Sequence, residues 1–361
     1  MNILFLSNLS GNLWAGPNNS VPAQIRAQSK IDNVFWYNLN HNKRQEWTEN
    51  GLDCKNLDDI PSGRLEDLPS PFNSPDIVVV EEFYCFPFSK ILKDVKKRNI
   101  PYVIIPRSEM TCLAQKNKFL KKKLGNLFYF NSLAKHAAAI EYLTENEKKE
   151  SEKQWKTKGF VIPNGVDLPN VEMRTYSNDQ IVASYIGRID IYQKGLDILV
   201  DAISGMKDDL TNNNFHLTIY GPNREGSLEL LQGKVKNLLL EDLISFEDAV
   251  FGLEKKNVLL QTDVFIMTSR FEGMPMGMIE ALSYGVPCLA TTGTNFTKEI
   301  NDFNAGWIAE NNVESVKNAL RSVIFRRDFT SKGKNALQLA KKFSWNTIAK
   351  NTSQCYEGIL G

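Results

Sequence analysis

Histidine is scarce: His41, His136 and His216 are the only three in 361 residues. They stand too far apart in sequence to suggest a metal site. Cysteine is thin as well, with Cys54, Cys85, Cys112, Cys288 and Cys355 scattered and odd in number. That set fits neither a disulfide framework nor a C-x2-C metal motif, and reads as free thiols in a reducing cytoplasm. No apolar run approaches the roughly 20 residues that cross a bilayer, so the chain is not expected to span one. Met1 to Ser7 is apolar but lacks a basic lead and is too short for a secretory signal, so it reads as a first buried strand. Neither charge dominates, with 43 Lys and Arg against 42 Asp and Glu. No global field therefore draws the protein to nucleic acid or anionic lipid, and any basic site is local. No G-x-G-x-x-G follows the first strand, which counts against a nicotinamide-dependent oxidoreductase.

What is present is ordinary globular composition, 42% hydrophobic and 24% charged, in a chain longer than one core usually supports. Two domains are expected, with a ligand cleft between them. Short apolar runs alternate with longer amphipathic ones, the pattern of βαβ units and a parallel sheet covered by helices. The first group of strands is read at Ile3 to Ser7, Asn33 to Tyr37, Ile77 to Glu81, Tyr102 to Ile105, Ala138 to Tyr142 and Gly159 to Ile162. The second is read at Ile181 to Ile186, His216 to Tyr220, Ile244 to Phe246, Val264 to Met267 and Pro287 to Ala290. Between them Pro163-Asn164-Gly165 and a polar stretch to about Gln180 make the linker, which puts the boundary near residue 170. The expected division is 1–170, 171–342 and a closing helix in 343–361.

The stretch that carries chemistry is Ser269 to Thr291. An apolar strand ends in the loop Arg270-Phe271-Glu272-Gly273-Met274-Pro275-Met276-Gly277, and a helix begins. Such a loop offers unpaired backbone N–H groups and a positive helix end, a seat for a diphosphate. Carboxylates repel phosphates, so Glu272 in the loop and Glu280, about two turns into the helix, are read as acceptors for sugar and ribose hydroxyls. After the first strand of the second half, Gly187-Arg188 and Lys194-Gly195 place two cations in a loop between strand and helix. Fixed cations there would meet the charge that develops on a departing β-phosphate.

In this order Gly187-Arg188, Lys194-Gly195, the E-x7-E pair Glu272/Glu280, Gly273, Pro275, Glu280-Ala281 and Gly285-x-Pro287 resemble the retaining GT-B glycosyltransferases of family four, the group 1 transferases. Weaker echoes at Pro163 to Asp167 and Phe343-Ser344-Trp345 extend the likeness over most of the chain. The resemblance implies an α/β fold of two Rossmann-like domains with parallel sheets facing a central cleft. The N-terminal one would bind the acceptor, the C-terminal one the nucleotide-sugar donor, and the last helix would cross back to the first. It implies no metal and no cofactor, only a nucleotide-diphosphate sugar, with a UDP-sugar as the default. Arg188, Lys194 and Glu272 would be catalytic. Gly187, Glu280, Gly16 and the stretch Gly273-Met274-Pro275-Met276-Gly277 would complete the donor site, and Arg107 and Ser108 would face the acceptor.

The chain also departs from the pattern. Its first loop reads Ser10-Gly11-Asn12-Leu13-Trp14-Ala15-Gly16-Pro17 where the family often has a Gly-Gly pair. Pro106-Arg107-Ser108-Glu109-Met110 has Ser108 in place of a glycine, and Phe246 to Val250 lacks the usual glycine beside the base. The implied function is transfer of a hexose-type sugar to a hydroxyl on a glycan or lipid-linked glycan, with retention, in bacterial surface polysaccharide or glycoconjugate synthesis. The alternatives are a nucleotide-sugar 2-epimerase of the same fold and a non-catalytic sugar-nucleotide-binding subunit. The setting is cytoplasmic, with peripheral membrane contact in view of five lysines from Lys116 to Lys123. The apolar stripe Phe119, Leu124, Leu127, Phe128 and Phe130 is read as core or as an acceptor-domain surface.

Overall fold

The computed structural model describes residues 1–12, 16–48, 52–116, 118–170 and 179–361. Leu13 to Ala15 of the first expected loop and most of the polar stretch after residue 170 lie outside the described residues. The chain forms two units, one of residues 1–165 and 345–361, the other of residues 166–344.

The first unit is a seven-stranded parallel sheet in the order β3-β2-β1-β4-β5-β6-β7. Its strands are β1 (Asn2–Ser7), β2 (Asn33–Asn38), β3 (Cys54–Asn56), β4 (Ile77–Glu81), β5 (Tyr102–Ile105), β6 (Ala139–Tyr142) and β7 (Gly159–Val161). The second is a six-stranded parallel sheet in the order β10-β9-β8-β11-β12-β13. It comprises β8 (Ile181–Ile186), β9 (Phe215–Tyr220), β10 (Ile244–Glu247), β11 (Val264–Met267), β12 (Cys288–Thr291) and β13 (Gly306–Ala309). Parallel pairing needs helical crossovers, which cover both faces, and so the central strands are continuous apolar runs. Ile-Val-Val-Val of β4 and Val-Phe-Ile-Met of β11 are buried throughout.

Both orders turn back at a switch point, between β1 and β4 in one sheet and between β8 and β11 in the other. In open α/β sheets ligands bind outside the carboxyl ends of the strands at that place. The strands β3 and β13, absent from the sequence reading, are short edges. The last helix, Trp345–Leu360, belongs to the first unit, where it packs on the helix Pro17–Gln28 and buries Trp345, Ile348 and Tyr356. Of the apolar stripe only Phe130 is buried, while Phe119, Leu124, Leu127 and Phe128 are exposed, so it is a surface and not core. Among the described residues, no helix is long and apolar enough to cross a membrane.

Candidate functional site

In the second unit the two loops singled out by the sequence leave adjacent strands. β8 and β11 pair in parallel, with Val264 opposite Ala183 and Phe265 opposite Ser184. Their carboxyl ends therefore deliver Gly187-Arg188 and Thr268 to Pro275 side by side at the switch point.

The first loop is short and pinned. The Gly187 N–H donates to the Tyr220 carbonyl at 3.0 Å, and the buried Tyr185 hydroxyl donates to the Arg188 carbonyl at 2.8 Å. Arg188 itself is exposed, and among the described residues its guanidinium forms no ion pair. Asp190 then caps a short helix, Ile191–Lys194, by accepting the Gln193 N–H at 2.9 Å. Lys194 thus ends a helix and does not lie in a loop as the sequence suggested. Gly195 stops that helix at φ +60°, and a Cβ built on it would stand 2.1 Å from the Thr268 carbonyl oxygen. Only glycine lets the two loops approach this closely.

The second loop is stitched to the first. The Thr268 hydroxyl donates to the Gly195 carbonyl at 3.0 Å, and the Arg270 N–H donates to the Gln193 carbonyl at 2.9 Å. The Arg270 guanidinium grips Asp197 with two bonds of 2.7 Å, a bidentate pair of the strong kind. This brings Lys194 Nζ to 2.6 Å from Glu272 Oε1, with both side chains about nine-tenths buried, at 11% and 8% exposure. The Ser269 hydroxyl donates to the same carboxylate oxygen at 2.5 Å, and Asn295 donates to the Glu272 carbonyl at 2.7 Å. A cation and a carboxylate assigned separately in the sequence form one ion pair.

Gly273 is exposed, Met274, Met276 and Gly277 are half-buried, and Pro275 is buried. The helix that follows runs from Met276 to Ser283, with no side-chain cap and no acidic residue in its first turn. The unpaired N–H groups expected of this loop are only partly there, because the Met276 and Met278 N–H groups already donate to the Met274 and Pro275 carbonyls at 3.0 Å, although no side chain caps the helix. Because it starts at Met276, Glu280 stands just over one turn in, nearer the amino end than the sequence suggested. Lys255, on the helix Gly252–Gln261, pairs with the Glu280 carboxylate. Sequence reasoning missed Lys255, which carries no motif. Its only signal is a basic residue one turn into the helix after β10.

Arg107 and Ser108 follow β5 in the first unit at φ +47° and +71°, two left-handed residues in a row that are not glycine. Such backbone persists only where its surroundings fix it. The Ser108 N–H donates to Glu147, and the Arg107 guanidinium donates to Glu81 at 2.9 Å, Ser20 at 3.1 Å, Asn164 at 3.2 Å and Gln24 at 2.8 Å. With a side chain 5% exposed, Arg107 faces inward, while Ser108 is half-buried. Below it burial pushes the Glu141 carboxyl up to about 8, while the Tyr356 hydroxyl donates to it at 2.7 Å. Gly16 is exposed at the start of the helix Pro17–Gln28, where a Cβ would meet nothing within 4 Å. Its backbone is helical, so the fold does not require glycine there.

Residues 173–338 match the profile of the family described as glycosyl transferases group 1. Over 294 residues the chain is 23% identical to an uncharacterized glycosyltransferase of Methanocaldococcus jannaschii, with 79% of this chain and 77% of that protein covered. It is 26% identical over 203 residues to one component of human phosphatidylinositol N-acetylglucosaminyltransferase, covering 55% of this chain and 41% of the relative. With mannosylfructose-phosphate synthase of Agrobacterium fabrum it shares 31% over 102 residues, covering 27% of this chain and 22% of the relative. The match thus spans less than half the length of the human and Agrobacterium relatives. Among solved structures, Anabaena HepE in complex with UDP and glucose superposes with a TM-score of 0.69 at 16% identity, covering 99% of this chain and 100% of that one. The lipopolysaccharide outer core galactosyltransferase WaaB gives 0.71 at 17%, with 99% of each chain covered. The fold is GT-B, as the sequence motifs led us to expect.

Proposed function

Because the chain belongs, through residues 173–338, to the glycosyl transferases group 1, we propose that it moves a hexose-type sugar from a nucleotide-diphosphate donor to a hydroxyl acceptor with retention of configuration. The observation that carries the reading is the Lys194–Glu272 pair at 2.6 Å, held where the loops after β8 and β11 meet. That is where a donor with a negative diphosphate and a hydroxyl-rich sugar finds a cation and a carboxylate together. HepE, of the same fold, has been solved with UDP-glucose, which supports a UDP-sugar as the first donor to try.

In this reading the bond from the sugar C1 to the β-phosphate oxygen breaks and a bond from C1 to the acceptor oxygen forms. The leaving diphosphate takes the acceptor proton. Arg188 and Lys194 meet the charge growing on the β-phosphate, and backbone N–H groups from Gly273 to Gly277 line the phosphates and sugar. Glu272 accepts from the sugar hydroxyls, and Glu280, oriented by Lys255, accepts from the ribose. Gly187 keeps the first loop low, and Gly16, which the fold leaves bare, takes a phosphate-facing role. Arg107 acts on the acceptor side only by holding the turn that presents Ser108. The acceptor is a glycan or lipid-linked glycan of bacterial surface polymers. An acceptor of the second kind places the enzyme in the cytoplasm, peripherally at the inner face of the membrane.

Replacing Lys194 by Ala should cut turnover by about 10²–10³-fold, the scale of losing one preorganised charge, with the fold intact by circular dichroism. A panel of UDP-, GDP-, ADP- and dTDP-sugars screened by thermal shift selects the donor beforehand, since bound donor stabilises by mass action. Near-normal transfer by the Lys194→Ala protein would sink the assignment.

A further inference from the structure

The exposed large hydrophobic residues are unevenly distributed. Of 18 among the described residues, five, Phe119, Leu120, Leu124, Leu127 and Phe128, fall within ten consecutive positions, each at least 55% exposed. Phe88, 76% exposed, lies beside them, with its ring 5.0 Å from Tyr129. Contiguous apolar side chains on this scale mark a surface that meets something other than water.

The segment is helical from Phe119 to His136, with a π turn at Asn126–Phe130. One side is anchored. Phe130 is buried against Tyr84 and Phe83, and the Tyr84 hydroxyl bonds Asn126 at 3.0 Å. The opposite side carries the exposed Leu and Phe residues, interleaved with the exposed Lys116, Lys118, Lys121 and Lys123. Residues 110–140 contain six lysines and no Asp or Glu, in a chain whose net charge is +1. A protein partner could match either half of this pattern. A bilayer with anionic headgroups matches both at once, since phosphates take the ammonium groups while Leu and Phe enter the acyl boundary.

We propose that the helical face from Lys118 to Phe128 docks on a membrane surface carrying anionic phospholipid. The docking deepens the peripheral placement argued above and rests on it, yet its test needs neither donor nor acceptor. A chain that binds vesicles without transferring sugar would fail the transferase reading alone.

The probe is the full chain with phosphatidylcholine vesicles, with and without phosphatidylglycerol, followed by co-sedimentation. Binding is expected only to the anionic vesicles and should weaken at high salt. The variant K118Q/K121Q/K123Q should bind at least about tenfold more weakly. The variant L120S/L124S/F128S should also lose binding, since surface attraction alone does not hold a protein without inserted apolar area. Both variants should keep the wild-type melting temperature and its shift with nucleotide, because none of the six residues is buried or part of the donor site. Equal binding to uncharged vesicles, no binding to either, or variants that bind as wild type would overturn the proposal. A wild-type dimer in sedimentation velocity that the L120S/L124S/F128S variant dissociates, without vesicle binding, would assign the face to a second copy instead.

Discussion

The Lys194–Glu272 pair implies competition at the residue that matters most for the donor. The ammonium faces a carboxylate at 2.6 Å in a setting about nine-tenths buried, where charge interactions are stronger than at the surface. A nucleoside diphosphate without its sugar brings negative charge to the same lysine and gives Glu272 no hydroxyl in return. Glu272→Gln keeps the shape and removes that repulsion. The expected outcome is about a tenfold gain in affinity for the free nucleoside diphosphate by calorimetry, about 1.4 kcal/mol, together with a fall in kcat for transfer. Unchanged or weaker diphosphate binding would mean that the carboxylate does not compete. Both residues could be picked from the sequence by their loops. Their contact could not, because 78 positions separate them and the pairing of β8 with β11 joins them.

The elements were legible where burial imposed a pattern. β4, β8 and β11 carry apolar runs that only a central parallel strand uses, and their limits fall where the sequence placed them. β3 is Cys-Lys-Asn, three residues at a sheet edge without an apolar run, and β13 opens on a glycine, so neither announced itself. The helix after β11 starts at Met276 because Pro275 precedes it as the cap residue, a boundary that periodicity does not resolve. At this scale the glycines provide a paired test. Gly195→Ala forces φ +60° on a residue with a Cβ and drives that Cβ to 2.1 Å from the Thr268 carbonyl. It should destabilise the second unit by at least about 2 kcal/mol and abolish nucleotide-induced thermal shifts. Gly233→Ala, inside the helix Ser227–Asn237 with nothing within 4 Å of the new methyl, should instead stabilise by about 0.5–1 kcal/mol. Urea unfolding of the two variants reads the contrast, and equal effects would show that the meeting of the loops does not depend on the glycine.

Across the whole molecule the hydrophobic clusters respect the division into units. Two consist of residues from 166–344, and three of residues from 1–165 and 345–361. The units also differ in their buried acids. In the first, burial raises the carboxyls of Glu81 and Glu147, lifts Glu82 to about 7 with Glu109 adding to it, and lifts Glu141 to about 8. In the second, burial opposes the shift at Asp197, yet its bonds to Arg270 hold that carboxyl below its ordinary value. A carboxyl whose folded value is raised binds more protons folded than unfolded, so its contribution is intact below the ordinary value and is lost as pH rises through the raised one. The depressed Asp32 and Asp59 of the first unit act below that window, under their ordinary 3.8. Between about pH 5 and pH 8 the first unit should therefore lose stability on the order of a few kcal/mol, while the second holds steady. Tryptophan separates the two signals, because Trp307 is the sole tryptophan in 166–344 and the other five fall in the first unit's stretches. In a Trp307→Phe background, urea unfolding followed by fluorescence at pH 5.5 and pH 8 should show the midpoint falling. Adding Glu141→Gln, which keeps a neutral group beside Tyr356 at either pH, should flatten much of that fall. A midpoint indifferent to pH, or a fall untouched by the Gln variant, would remove Glu141 as its source.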